Sequence, residues 1–244
     1  MSNGFLVLGD VHNEHAILTK AVDYSIEKNL QIIFVGDLVD YGPSPKETIE
    51  LAHNCLINHN AIFIEGNHDN KIARYLKGNN VQVVLAMQDT VNVLETNEQT
   101  RSLFNDVYNR MISYLKINDT YITHGGIHKN FWSGDISSDA VKNVFLYGEA
   151  DLNSPFIEYN GQQYPHRKYT WTEHIPNNHI VIVGHDRSPF EEIPLFENDI
   201  NEIVIRKNNI GGEVIFIDTG AGKGGFISGV VLDHDGNVHD MISF

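Results

Sequence analysis

The feature that most restricts the fold is the order of the first 65 residues, where short apolar runs alternate with stretches of helical spacing. "FLVLGD" (5–10) predicts a buried strand that stops at Gly-Asp, and "QIIFVGD" (31–37) predicts a second with the same ending. A third, "AIFI" (61–64), runs into Gly66, Asn67, His68 and Asp69. Between them, residues 14–29 place Ile17, Leu18, Ala21, Val22 and Ile26 at helical spacing, and residues 44–60 predict a helix with Ser44 as N-cap and Pro45 in its first turn. Strand, helix, strand, helix, strand at this spacing is the pattern of parallel βαβ units.

Beyond that half, the sequence predicts a short helix at 70–78 stopped by Gly78, and a long amphipathic helix at 97–116 with Leu103, Val107, Met111, Ile112 and Leu115 facing the core. A strand is expected at 119–126 and a Ser-capped helix beginning at 137–149. Residues 150–176, aromatic and polar without a period, read as a loop region beside the active site. Strands at 179–186, 202–206, 213–220, 226–233 and 237–244 predict a second sheet packed face to face with the first. With no internal repeat or linker, residues 1–244 are expected to form one domain.

Charge narrows the partners. The chain carries 17 Lys plus Arg against 32 Asp plus Glu, a net charge of −15. That argues against an extended nucleic-acid-binding surface, which needs clustered cations. It leaves room for a phosphate gripped through bound metal ions. Cys55 is the single cysteine, expected to be a small buried apolar residue. No apolar run reaches membrane-spanning length and no secretory leader opens the sequence, so a soluble, cytoplasmic protein without a membrane partner is expected.

Each predicted strand ends in the same kind of junction. "GDVH" offers Asp10 and His12, "GDLVD" offers Asp37 and Asp40, and "GNHD" offers Asn67, His68 and Asp69. Later come His124 in "HGG", His185 in "GHD" and Asp218 in "IDTG". Ligands of open α/β sheets gather at the carboxyl ends of strands, so these groups can meet. Converging carboxylates and imidazoles are costly unless positive charge sits among them. Two divalent ions would supply it. Asp10, His12 and one oxygen of Asp37 would hold the first, and the other oxygen of Asp37 with Asn67, His124 and His185 the second. A shared carboxylate sets such ions about 3.5–4 Å apart, a spacing suited to in-line phosphoryl displacement. Mixed oxygen and imidazole donors favour manganese, with iron, zinc or nickel as alternatives. Asp40 is expected behind the ligands, orienting Asp10, His12 or His68.

These blocks, Asp-x-His, Gly-Asp-x-x-Asp, Gly-Asn-His-Asp, His and Gly-His, resemble in kind and order those of the calcineurin-like metallophosphoesterase family, from residue 5 to about 225. The resemblance implies a two-sheet αββα sandwich. Within the family, "GNHDNKIARYLKGNNVQV" (66–83), "LYGEAD" (146–151) and "FIDTGAGKGG" (216–225) look closest to the phosphatase module of bacterial polynucleotide kinase-phosphatases. Diadenosine tetraphosphatases and bacterial Ser/Thr phosphatases are similar too. On this resemblance Asp218 joins the metal-site shell through water or His185. Many members have an Arg after the second Asp of Gly-Asp-x-x-Asp that contacts the substrate phosphate; here Tyr41 stands there, and Arg187, Arg167 or Arg74 would substitute.

The expected reaction is phosphoester hydrolysis by attack of a metal-bridging hydroxide, with His68 protonating the leaving oxygen and Asp69 orienting His68. Substrates would be nucleotide or RNA-end phosphates, as monoesters or 2′,3′-cyclic diesters. A Ser/Thr protein phosphatase, a symmetrical dinucleoside tetraphosphatase and a non-catalytic scaffold are the rivals. "TGAGKGG" (219–225) lacks the spacing of a phosphate loop and predicts a tight inter-strand turn. Tyr164, Tyr169, Trp171 and His166 could stack a base, but packing against the sandwich is the plainer reading.

Overall fold

The computed structural model describes residues 2–159, 162–187 and 201–244. Three parallel strands come first: β1 (Phe5–Leu8), β2 (Gln31–Phe34) and β3 (Ile62–Phe63). The helices α1 (His15–Lys28) and α2 (Pro45–Asn58) cross between them, as the sequence predicts. Then come α3 (Asn67–Leu76), α4 (Gln88–Thr96), α5 (Glu98–Tyr108), β4 (Tyr114–Ile117), β5 (Thr120–Thr123) and α6 (Asp139–Tyr147). Two short antiparallel pairs follow: β6 (Glu149–Asp151) with β9 (His166–Lys168), and β7 (Ile157–Tyr159) with β8 (Gln162–Tyr164). The chain closes with β10 (Ile180–Val183), β11 (Val204–Lys207), β12 (Glu213–Phe216), β13 (Asp218–Thr219), β14 (Phe226–Leu232) and β15 (Val238–Ser243).

One sheet runs β13-β14-β1-β2-β3, with β15 on the other side of β14, and the second runs β11-β12-β10-β5-β4. Alternation along the strands builds three apolar layers. Val7, Ile33 and Val35 of the first sheet meet Ile122, Ile182 and Ile215 of the second. Leu6, Leu8, Ile32, Phe34 and Phe63 turn the other way, onto Leu18, Ile49, Ala52 and Phe104 of the helices. On the far face, Tyr121, Val181 and Phe216 pack with Val141 and Phe145 of α6 and with Trp171. The order is helix, sheet, sheet, helix, the αββα sandwich expected. Among the described residues no helix is long and apolar enough to cross a membrane.

The structure corrects three expectations. The helix predicted at 97–116 ends at Tyr108; Tyr114–Ile117 is a strand, antiparallel to β5, with Asn118 at φ 49° in the turn between them. Apolar spacing from Met111 to Leu115 fits either element, and pairing with β5 decides it. The late strands also do not form one sheet: β10, β11 and β12 build the second, whereas β13, β14 and β15 return to the first, with β14 antiparallel to β1. Finally, 150–176 is not only loop; its hairpin pairs set Ala150 opposite Arg167. Trp171 is 2% exposed, so it packs rather than offers a stacking face.

Candidate active site

The six core strands deliver polar side chains just past their carboxyl ends: Asp10 after β1, Asp37 after β2, Asn67 after β3, His124 after β5, His185 after β10 and Asp218 after β12. The turns that do so are tight. His12, Asp37, Asp40 and His185 all have positive φ, at 47°, 49°, 76° and 68°. Such backbone is uncommon outside glycine and clusters at functional sites. It is held here because Val11 N and His12 N both donate to Asp37 O, at 3.1 and 3.0 Å. Gly66 belongs to the same construction: a Cβ there would overlap the backbone N and the carboxylate of Asp37.

Two groups of donors share Asp37. On one side, His12 Nε2 lies 3.8 Å from Asp10 Oδ2 and 3.8 Å from Asp37 Oδ2. On the other, His124 Nε2 lies 3.0 Å from Asn67 Oδ1, 3.4 Å from Asp37 Oδ1 and 3.2 Å from His185 Nδ1. The ring orientations are fixed from behind. His12 Nδ1 donates to Val39 O at 2.9 Å, and His124 Nδ1 donates to Val35 O at 2.8 Å. Each bond uses the Nδ1 proton, so each Nε2 faces the carboxylates, where it can give its lone pair to a cation once it carries no proton. Asp10 Oδ1 accepts from His185 N at 3.1 Å, while its buried Oδ2 has no hydrogen-bond partner. Lone pairs and carboxylate oxygens aimed at one another in a dry pocket call for cations. The donors fit two divalent ions: Asp10, His12 and Asp37 for one, and Asp37, Asn67, His124 and His185 for the other.

The charges of the pocket respond accordingly. Burial opposes a charge on His124, yet Asp37 and Asp10 lift it to about 10. Burial, then Asp218, raises Asp10 well above the usual carboxylate range. Burial would also raise Asp37, but His124 and His68 hold it well below that range. Burial and then Lys223 push His12 down, as burial and then Arg167 do His185. Protons and metal ions therefore compete for the cluster. Titrating chelator-treated protein with manganese should release at least one proton per molecule, and affinity should rise about tenfold per pH unit from neutrality toward pH 10. Proton release by calorimetry in buffers of different ionisation enthalpy checks this; a pH-independent affinity would refute it. In the metal-stripped protein the raised His124 stabilises the fold fully below about pH 6.5, and that contribution is lost as pH rises through about 10.

His68 stands at the mouth of this pocket, and its partner corrects the expectation for Asp69 while selecting His68 among the three groups that Asp40 was expected to orient. His68 Nδ1 is 2.7 Å from Asp40 Oδ2, so Asp40, not Asp69, orients it. Asp69 is fully buried; it accepts from Leu38 N at 3.1 Å and from Gly66 N at 3.3 Å, closing the capping box of α3. Replacing Asp69 by Ala should therefore cost about 1–3 kcal/mol of stability by stranding buried amides. Its thermal midpoint should fall while the relative rates on different leaving groups stay unchanged; a leaving-group-dependent loss would return Asp69 to the chemistry.

Asp218 Oδ1 accepts from Gly220 N at 3.0 Å, its charge faces Asp10, and its buried Oδ2, like that of Asp10, has no hydrogen-bond partner among the described residues. Of the four expected phosphate contacts, two border the cluster. Tyr41 packs its ring 4.8 Å from His12 and 5.2 Å from His68, and Arg167 Nη2 is 2.5 Å from His185 Nε2 while its Nε pairs with Asp186 at 3.3 Å. Arg187 lies near Tyr41 and Gly220, and Arg74, in the last turn of α3, interacts with Tyr147. Sequence reasoning missed Lys223, whose Nζ is 3.2 Å from His12 Nε2. Its signal was the glycine-flanked Lys just after Asp218, taken for a turn and nothing more.

A two-sheet sandwich with six such donors at its strand ends defines a metallophosphoesterase. The chain matches the calcineurin-like phosphoesterase family over residues 4–189 and belongs to it. It is therefore a phosphoester-hydrolysing enzyme. Among curated relatives it is 27% identical to the asymmetrical bis(5′-nucleosyl)-tetraphosphatase PrpE of Anoxybacillus flavithermus, over 80% of this chain and 82% of that one. The protein of the same name from Bacillus mycoides is 26% identical over 92% of this chain and 88% of its own. A solved yeast (Saccharomyces cerevisiae) protein serine/threonine phosphatase shares the fold at a TM-score of 0.52 and 14% identity, covering 98% of this chain and 79% of that one.

Proposed function

We propose that this enzyme is a two-metal hydrolase of nucleotide phosphates, with a bis(5′-nucleosyl) tetraphosphate as its first candidate substrate and manganese as its first candidate metal. The observation that carries the two-metal reading is Asp37, whose two oxygens face two separate donor groups. The substrate reading draws on the names of the relatives and on the acidic surface, which suits a small ligand better than a long polynucleotide. Cytoplasmic nucleotides would be its pool.

Bound in this pocket, divalent ions would neutralise phosphate charge and make water a competent nucleophile at neutral pH. The chain's own residues supply the rest. Asp10, His12, Asp37, Asn67, His124 and His185 fix where the phosphate can sit. His68, tethered through Nδ1 to Asp40, is left with Nε2 to hand a proton to the departing oxygen. Tyr41 and Arg167 border opposite ends of the donor cluster, at His12 and at His185.

One panel tests the reading: manganese-loaded enzyme on diadenosine tetraphosphate, a 2′,3′-cyclic nucleotide, RNA with a 3′-phosphate and a phosphothreonine peptide. Preference for the tetraphosphate, with mono- and triphosphate products, supports it. Preference for RNA ends or peptide would replace the substrate, and turnover of none would remove the nucleotide reading.

A further inference from the structure

We propose that Lys223 is the cation that binds the non-bridging oxygens of the substrate phosphate on the His12 side of the site. This deepens the reading above, because it concerns the same pocket.

The loop between β13 and β14 is shaped to place this residue. Asp218 Oδ1 anchors Gly220 N at 3.0 Å, and Gly220 O in turn accepts from Lys223 N at 3.0 Å and Gly225 N at 2.9 Å. Gly222, at φ 73°, lets the backbone press against the site: a Cβ there would stand 2.8 Å from His12 Cβ and 2.9 Å from Tyr41 Cβ. Only glycine combines that φ with that approach. The next residue is consequently aimed inward. The Lys223 ammonium lies 3.2 Å from His12 Nε2 and 4.1 Å from the centre of the Tyr41 ring.

That position has a consequence. His12 Nε2 is the atom that the Val39 hydrogen bond reserves for a cation, and an ion bound there cannot share its lone pair with an ammonium. Lys223 must then turn away, and its ammonium already lies over the ring of Tyr41, which is 42% exposed at the mouth. A mobile cation beside an anion-receiving pocket meets the incoming phosphate. Arg167, by contrast, is tied to Asp186 and to the Tyr147 carbonyl at the opposite end. The two therefore do not duplicate one another.

The test compares Lys223→Met and Lys223→Arg with the parent, all loaded with manganese. Inorganic phosphate is titrated by calorimetry, which reads binding without turnover, and metal content is measured in parallel. Removing one charge-assisted contact should weaken phosphate binding about 10- to 100-fold in Lys223→Met, with Lys223→Arg recovering most of it and metal content unchanged. KM for the nucleotide should rise in step, while kcat changes less. Unchanged phosphate affinity in Lys223→Met overturns the proposal, and so does a fall in bound manganese, which would make Lys223 a prop for the metal site. If the parent binds phosphate but cleaves no nucleotide, the proposed substrate fails while the Lys223 comparison still reads out.

Discussion

Asp37→Asn is expected to lower kcat/KM by about 10³-fold or more. The estimate follows from the several kcal/mol that paired ions contribute to phosphoryl displacement, at about 1.4 kcal/mol per tenfold. Asp37 Oδ2 faces His12 and Oδ1 faces His124, so the neutral amide removes the charge that both donor groups share. Oδ1 also accepts from His68 N at 2.9 Å, which an amide oxygen can still do, so the fold should survive. The decisive measurement is bound manganese: from two ions per chain in the parent to one or none in the variant. Two tightly held ions in Asp37→Asn would show that the carboxylate does not join the two groups.

His68→Ala should show an effect that depends on what leaves. For an alkoxide such as a ribose oxygen, loss of a positioned acid costs about 10²- to 10⁴-fold. For p-nitrophenolate, or for a nucleoside phosphate released from a phosphoanhydride, the leaving group is stable without a proton and the loss should stay within about tenfold. Asp40→Asn should reproduce the same ordering in weaker form, because Asp40 Oδ2 is the group that holds His68 Nδ1. Equal losses across all leaving groups would assign His68 to substrate binding instead of proton transfer.

The meeting of the candidate donor groups was legible in the sequence because each sits a few residues past an apolar run, where strand and turn chemistry leave little choice. The parallel half of the first sheet was legible for the same reason: β1, β2 and β3 follow one another through helices. The partners of β14 were not, since its pairing with β1 joins Leu232 to Phe5 across nearly the whole chain. The helix misread at 97–116 came from apolar spacing at Met111–Leu115 that a helix and a strand satisfy equally. Giving Asp69 the orienting role was an error of adjacency, whereas Asp40, expected to orient Asp10, His12 or His68, does hold His68. On a helix, successive residues point about 100° apart, so Asp69 turns into the core as His68 faces the pocket, while Asp40 reaches His68 from the turn after β2. Lys223 was set aside as part of a turn, although a turn and a reach into a pocket are compatible.

The second donor group draws Asp37 and Asn67 from one β-layer and His124 and His185 from the other. An ion held there rivets the two halves of the sandwich at their open rim. Because it would bind only the assembled sandwich, its binding energy adds to that of the whole architecture. Any lateral slip of one layer over the other would pull the rivet's four anchors apart, so the enzyme's reactivity and the alignment of its two layers rise or fall together.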